Sequence, residues 1–192
     1  MAIRSETSRQ AILQSTMKLL DDRKSGSMSV QQLSIERIAR EAGVSKTTIY
    51  RWWPNKAAVI IDTFLENHII STPIREDLPA IEALREHVTA LAAVYAGHEG
   101  RLMAQLIAES QYDPATLEEF KKHFWRPRRD AVKSLIERAV AEGHLRDDRT
   151  TDELAERIYS PLYFRLLFQE GSLDAKAIRA DFELALEGLA AR

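Results

Sequence analysis

Apolar residues recur at intervals of three and four along most of this chain, and that spacing constrains its fold more than any other feature. Ile81, Leu84, Val88, Leu91 and Tyr95 trace one stripe, because residues three and four apart share a face at 3.6 residues per turn. No run of alternating β-branched residues competes with it. The breaks fall where local chemistry asks for them. Thr7 and Gln10 have capping-box spacing ahead of Leu13, Met17 and Leu20. Residues 24–29 (KSGSMS) read as a loop. Ser34 caps a short helix with Ile35, Ile38 and Ala39 that stops at Gly43, and Ser45 caps another that ends at Pro54. Asn55 opens a longer helix through Ala57, Ile60, Ile61, Phe64, Leu65 and Ile69, followed by a break over 71–79 with two prolines. The turn at Gly97 and Gly100 leads to a helix with Leu102, Leu106 and Ile107. Asp113–Pro114 starts the next, with Leu117, Phe120 and Phe124. Pro127 should kink or divide that helix before it resumes through Val132, Leu135 and Ala139. A further helix runs from Thr151 or Asp152 to Glu170, enclosing Pro161, and Asp174 opens the last. The expectation is an all-α protein of nine helices, a three-helix head (1–56) followed by a six-helix body (57–192).

With 45% hydrophobic and 29% charged residues the chain can bury a sizeable core, which excludes disorder for most of its length. It has no cysteine, so disulfides, Cys-ligated zinc and a thiol nucleophile are excluded. No apolar run approaches the roughly 20 residues of a membrane span, and the polar N-terminus lacks a signal-peptide core. A soluble, cytoplasmic protein is expected. The histidines at 68, 87, 98, 123 and 144 never fall at i, i+4, and no metal or cofactor is expected. The net charge of −2 hides an asymmetry: residues 1–56 hold 10 Lys and Arg against 5 Asp and Glu, whereas residues 57–192 hold 17 against 24. A basic head on an acidic body points one end at a polyanion.

The motif that gives this asymmetry meaning is SIERIAREAGVSKTTIYRWWPNK, residues 34–56. A small side chain at Ala39 lets a second helix approach, Gly43 supplies a positive φ for a sharp turn, and Ile49, helped by Val44 and Ile38, plugs the corner. Such a helix-turn-helix leaves the outer face of its second helix open. That face carries Ser45, Lys46, Thr47, Thr48, Tyr50, Arg51 and Trp52, which are hydroxyl-rich, cationic and aromatic, with no acid among them. Hydroxyls and a threonine methyl suit base edges, and Lys, Arg and Tyr suit phosphates. Asn55 and Lys56 open the following helix, whose free N–H groups favour a phosphate oxygen. Ser34, at the start of the motif, completes the candidate DNA-binding set.

Residues 34–56 resemble the DNA-binding signature of the TetR family of transcriptional regulators, with IAREAGVSKTTIYRWWPNK matching IARxAGVSxxTIYxxxxxK. The likeness extends over residues 8–70; beyond them it rests on helix count and length. It implies a three-helix DNA-binding head, a helical body holding a ligand pocket, and a homodimer built through the last two helices. By position, Thr47, Thr48 and Tyr50 fall where the family contacts DNA, and Trp52 and Lys56 fall at phosphate-contacting positions. Two departures stand out. The loop from Lys24 to Leu33 is a few residues longer than usual, and Trp52–Trp53 replaces a commoner His, Tyr or Arg followed by Phe. Trp53 is expected to pack into the head.

The body supplies its own argument for a partner. The stretch 152–170 is apolar on more than one face, with Leu154, Ile158, Tyr159, Leu162, Tyr163, Leu166, Leu167 and Phe168, and a helix apolar all round is buried all round. Pairing it and the last helix with their symmetry mates would bury it. Two heads about 34–36 Å apart would then read successive major grooves of a palindromic double-stranded operator. A small-molecule effector that fits only another head spacing would lower DNA affinity by linkage. Candidate pocket residues are Phe64, Tyr95, Gln105, Phe120, Phe124, Trp125, Tyr163 and Phe168. Arg126, Arg128 and Arg129 form a cationic cluster around Pro127 that would suit an anionic effector but is expected rather to face solvent or pair with Asp130 and nearby Glu. The function expected is a sequence-specific DNA-binding regulator, a repressor released by its effector. The alternatives are a helical adaptor that binds protein and an enzyme. The enzyme reading lacks a phosphate loop, a nucleophile elbow, a zinc motif and a dinucleotide turn. No catalytic residue is assigned.

Overall fold

The structure, a computed structural model, describes residues 2–21 and 28–190, and the side chains of 2–5 and 67–71 are outside that description. Among the described residues all the regular elements are helical: α1 (Ala2–Leu20), α2 (Ile35–Ala42), α3 (Lys46–Tyr50), α4 (Lys56–Ser71), α5 (Ala80–Tyr95), α6 (His98–Ser110), α7 (Pro114–Phe120), α8 (Arg126–Ala141), α9 (Thr151–Phe168) and α10 (Ala175–Leu189). Helix α7 runs into a π-helical turn, Lys121–Trp125, and α8 follows it in the chain. The turn has a local cause. Pro127 has no N–H and its ring would strike the carbonyl four residues earlier, so a wider turn just ahead of it absorbs the mismatch.

Caps set most other boundaries. The Ser34 side chain accepts from Arg37 N, Ser45 from Thr48 N, Asp113 from Ala115 N and Thr116 N, and Asp174 from Ala177 N. Asn55 Oδ1 accepts from Ala58 N at 2.9 Å. Thr150 forms a reciprocal capping box with Glu153, one residue ahead of the expected start, and α9 runs unbroken through Pro161 to Phe168. The first helix differs from expectation. It begins at Ala2, so Thr7 lies inside it and does not cap it. Glu6 and Arg9 pair one turn apart within it, and Arg9 reaches Glu66 of α4 at 2.9 Å, which supports the added turn. Part of the expected loop, residues 24–27, lies outside the described residues.

The contacts gather into two units. One comprises residues 1–68 and 102–124; the other comprises 69–101 and 125–192. In the first, α1 packs on α2 and α2 on α3, over a core of Ile12, Leu13, Leu20, Leu33, Ile38 and Ile49 with Trp53. In the second, α5 packs on α8, α9 and α10, and α9 packs on α8 and α10. Leu84, Val88, Leu135, Ile136, Leu154, Ile158, Leu162 and Phe182 fill its interior. Gly100 is needed there for a close approach, since a Cβ at that position would sit 1.9 Å from the Tyr95 carbonyl oxygen.

Candidate nucleic-acid interface

The corner between α2 and α3 is built by a few residues with separate tasks. Gly43 adopts φ 65, ψ 30, a left-handed conformation that costs a side-chain-bearing residue strain. The turn closes with Val44 N donating to Ala39 O at 3.0 Å and Gly43 N to Arg40 O at 3.4 Å. Ile49 and Ile38 are fully buried at the hinge. Ser45 then starts α3, with its hydroxyl accepting from Thr48 N at 3.1 Å and lying 2.9 Å from Thr48 Oγ1. With Ile49 pinned inward, the rest of α3 and the turn after it face outward: Lys46, Thr47, Tyr50, Arg51 and Trp52 are exposed and Thr48 is half-buried. Tyr50 is 53% and Trp52 37% accessible, high values for aromatic side chains of a folded unit. Trp53 turns the other way. It is buried, and its indole N–H donates to Asp62 at 2.8 Å.

Not every expected residue is on that face. Ser34 spends its hydroxyl on capping α2. Lys56 directs its ammonium to the carbonyls of Val30 (3.0 Å) and Gln31 (3.4 Å) and to Glu109 of α6 (3.4 Å). Lys46 is exposed, but its Nζ lies 2.9 Å from Glu36 Oε1. That hydrogen bond lowers the titration of the Glu36 carboxyl and raises that of the Lys46 ammonium. Sequence reasoning missed the pair because the partners are ten positions apart and meet only when the corner closes.

The candidate pocket residues divide between the units. Phe64 is buried in the first unit, where Phe120 and Phe124 stack at 5.3 Å. Gln105 is exposed on α6, and its amide oxygen accepts from Val30 N at 2.8 Å, so it holds the turn before α2. In the second unit Tyr163 has edge contacts with Tyr95 (5.9 Å) and Trp125 (5.2 Å). Phe168 is 67% exposed on α9 beside Phe164. The arginine cluster also divides. Arg129 pairs with Asp152 and Glu156 of α9, not with Asp130. Arg128 has Nε and Nη2 closed to solvent, and burial lowers its titration against an opposing effect of the Tyr95 and Tyr163 hydroxyls. His87 was not expected in any site. Its Nδ1 lies 2.7 Å from the Tyr159 hydroxyl, and burial, then the charge of Arg128, pushes its pKa down to about 4. Among the described residues no group of His, Asp or Glu is arranged to hold a metal ion, and no helix is long and apolar enough to cross a membrane.

The chain matches known proteins in both halves. Residues 28–63 match the family model described as bacterial regulatory proteins, tetR family, and residues 80–184 match the tetracyclin repressor-like C-terminal domain. It is 32% identical over 188 residues to YdeS of Bacillus subtilis, an uncharacterised HTH-type transcriptional regulator, covering 98% of this chain and 92% of that one. The crystal structure of the TetR family transcription regulator SCO0332 superposes with a TM-score of 0.79 at 26% identity, covering 94% of this chain and 97% of that one. FadR from Bacillus subtilis, solved in complex with stearoyl-CoA, shares the fold at 16% identity with a TM-score of 0.69, covering 93% of this chain and 98% of that one. With its glycine-hinged corner, its exposed hydroxyl and aromatic face and these matches along nearly its whole length, the chain belongs to the TetR family of DNA-binding transcriptional regulators.

Proposed function

We propose that this regulator is a cytoplasmic repressor that binds a palindromic operator as a homodimer and leaves it when a small molecule binds the body. In this reading residues 1–56 are the DNA-binding domain and residues 57–192 the effector-binding and dimerisation domain. Ser45, Thr47, Thr48 and Tyr50 meet base edges and nearby backbone, and Arg51 and Trp52 meet phosphates. The observation that carries it is the orientation of α3: Ile49 buried, its neighbours turned to solvent.

The dimer rests on a second observation. Phe164, Leu167 and Phe168 of α9 and Leu184 of α10 are exposed, three of them more than half, although the opposite side of α9 is buried within the chain. A second copy of the same surface would cover this one by two-fold symmetry. Two heads would then read two half-sites about one helical turn apart, where one short helix reads three or four base pairs. For the effector, Tyr95, Trp125 and Tyr163 offer aromatic faces beside the cation of Arg128. That FadR, a protein of the same fold, was solved with stearoyl-CoA supports the body as the place to look. Moving such a regulator from mostly bound to mostly free takes about 5 kcal/mol of differential effector affinity between its two states.

Selection of bound fragments from random and genomic duplexes tests this reading. It should return a sequence with two-fold symmetry, and Thr48→Ala should weaken that sequence more than a random duplex. Recovery of a single asymmetric half-site would remove the dimer, and failure of every duplex to bind at low salt would remove the role of α3.

A further inference from the structure

The exposed stretch of the reading helix carries a cation that is already engaged. Lys46 is the first residue of α3, Glu36 the second of α2, and the corner brings Nζ and Oε1 to 2.9 Å. Both side chains are more than half exposed, and an ion pair in water contributes little to folding. Nor does the corner need it, since Gly43, Ile38, Ile49 and the two serine caps already hold the angle. The interaction matters instead for what α3 can offer DNA. A carboxylate oxygen at this distance occupies the place a phosphate oxygen would take.

We propose that Glu36 is a specificity-determining residue that acts by holding Lys46. It withholds one cation from the backbone of arbitrary DNA and yields it where the rest of α3 matches the sequence. The proposal rests on the reading that α3 meets DNA. Binding to DNA of arbitrary sequence is driven almost wholly by counterion release, so a cation neutralised from within the protein is lost from that term. At a matched site Thr47, Thr48 and Tyr50 seat the helix, and Lys46 can exchange Glu36 for a directed bond to a phosphate or to a guanine edge. Glu36 therefore costs affinity on both kinds of DNA, and costs more on the wrong kind.

The test compares E36Q, K46Q and the double variant with the parent on two duplexes, one recovered by selection with the parent protein and one of random sequence, across a range of salt. E36Q should tighten the random duplex about three- to tenfold at low salt and steepen its log K against log salt slope by about one. It should change the selected duplex by about twofold at most, so the ratio between the two narrows. In the K46Q background the effect of E36Q should vanish. If K46Q weakens binding while E36Q leaves the random duplex and its slope unchanged, the proposal is overturned and α3 keeps its role. It is also overturned if E36Q tightens binding equally in the K46Q background, because the carboxylate would then act on phosphates directly. If E36Q, K46Q and T48A all bind both duplexes like the parent, the placement of α3 itself fails.

Discussion

Among the described residues, the outer side of α3 and that of α9 and α10 both stand uncovered, and they differ in almost every chemical respect. The outer side of α3 shows hydroxyls, a lysine, an arginine and two aromatic rings with polar edges; the outer side of α9 and α10 shows Phe164, Leu167, Phe168 and Leu184. The first is short and rigidly hinged, capped by Ser45 and turned by Gly43. The second lies along helices of 18 and 15 residues. An uncovered surface takes a partner resembling the solvent it would otherwise face or the interior it would otherwise join. Hydroxyls and cations can exchange water for phosphates and base edges, whereas exposed phenylalanines gain by leaving water altogether. In the proposed reading one chain thus displays a face for a polyanion and a face for its own copy.

The largest effect that could break this comparison is expected on the apolar face. Phe164→Asp puts a charge where the proposed dimer would desolvate it, and loss of a central aromatic anchor alone costs about 2 kcal/mol or more. Sedimentation should show the dimer dissociation constant rising about a hundredfold, with operator affinity falling alongside. A variant as dimeric as the parent would mean that this surface only meets solvent, where substitutions change stability by about 0.5 kcal/mol.

Acid should separate the two regions next. Residues 1–56 contain no histidine, whereas the second unit buries His87 against Tyr159 with its pKa down to about 4. In the unfolded chain the group titrates near 6.5. Between these values the unfolded state binds more protons, so this contribution is complete above about pH 6.5 and is lost as the pH falls toward 4. The shift is equivalent to about 3 kcal/mol. Urea titrations at pH 7 and pH 4.5 should show a smaller acid loss in His87→Gln than in the parent. Equal losses would assign the acid sensitivity elsewhere.

A smaller effect is expected at the hinge. Gly43 meets nothing within 4 Å of where a Cβ would lie, so Gly43→Ala acts through backbone strain alone, about 1–3 kcal/mol for a side-chain-bearing residue held in the left-handed region. Thermal unfolding should show the loss, and DNA binding should fall with it as α3 loses its angle. A variant that keeps both parental stability and parental DNA affinity would show that the turn tolerates another geometry.

What could be read from the sequence divides the same way. The corner was legible because it is local: Ser34, Ala39, Gly43, Ser45 and Ile49 lie within sixteen positions, and each has a distinct conformational task. The apolar excess of α9 was legible from composition on its two sides. Contacts that depend on closure were not. Glu36 and Lys46 meet only across the bent corner, Gln105 meets Val30 from 75 positions away, and nothing in the spacing of the arginines separates Arg128, with Nε and Nη2 closed to solvent, from Arg129, which pairs with α9. Propensity also misjudged the first helix. Thr7 has a cap's chemistry, but Arg9 bound to Glu66 secures a helix already under way.

Lys56 gives the smallest effect. By motif position it belongs with the phosphate contacts of the polar face, yet its ammonium holds the Val30 and Gln31 carbonyls and Glu109. The two roles lead to different losses. If Lys56 keeps these partners when the protein is on DNA, Lys56→Ala removes hydrogen bonds from a charged donor to a half-exposed turn, costing about 1 kcal/mol of stability and leaving the salt dependence of binding unchanged. A phosphate contact would instead flatten the slope of log K against log salt by about 0.9 while leaving the thermal midpoint nearly untouched. Because Val30 N also donates to Gln105 at 2.8 Å, Gln105→Ala should mimic the first outcome and never the second. A flattened slope in Lys56→Ala alone would therefore place the lysine on the polar face after all.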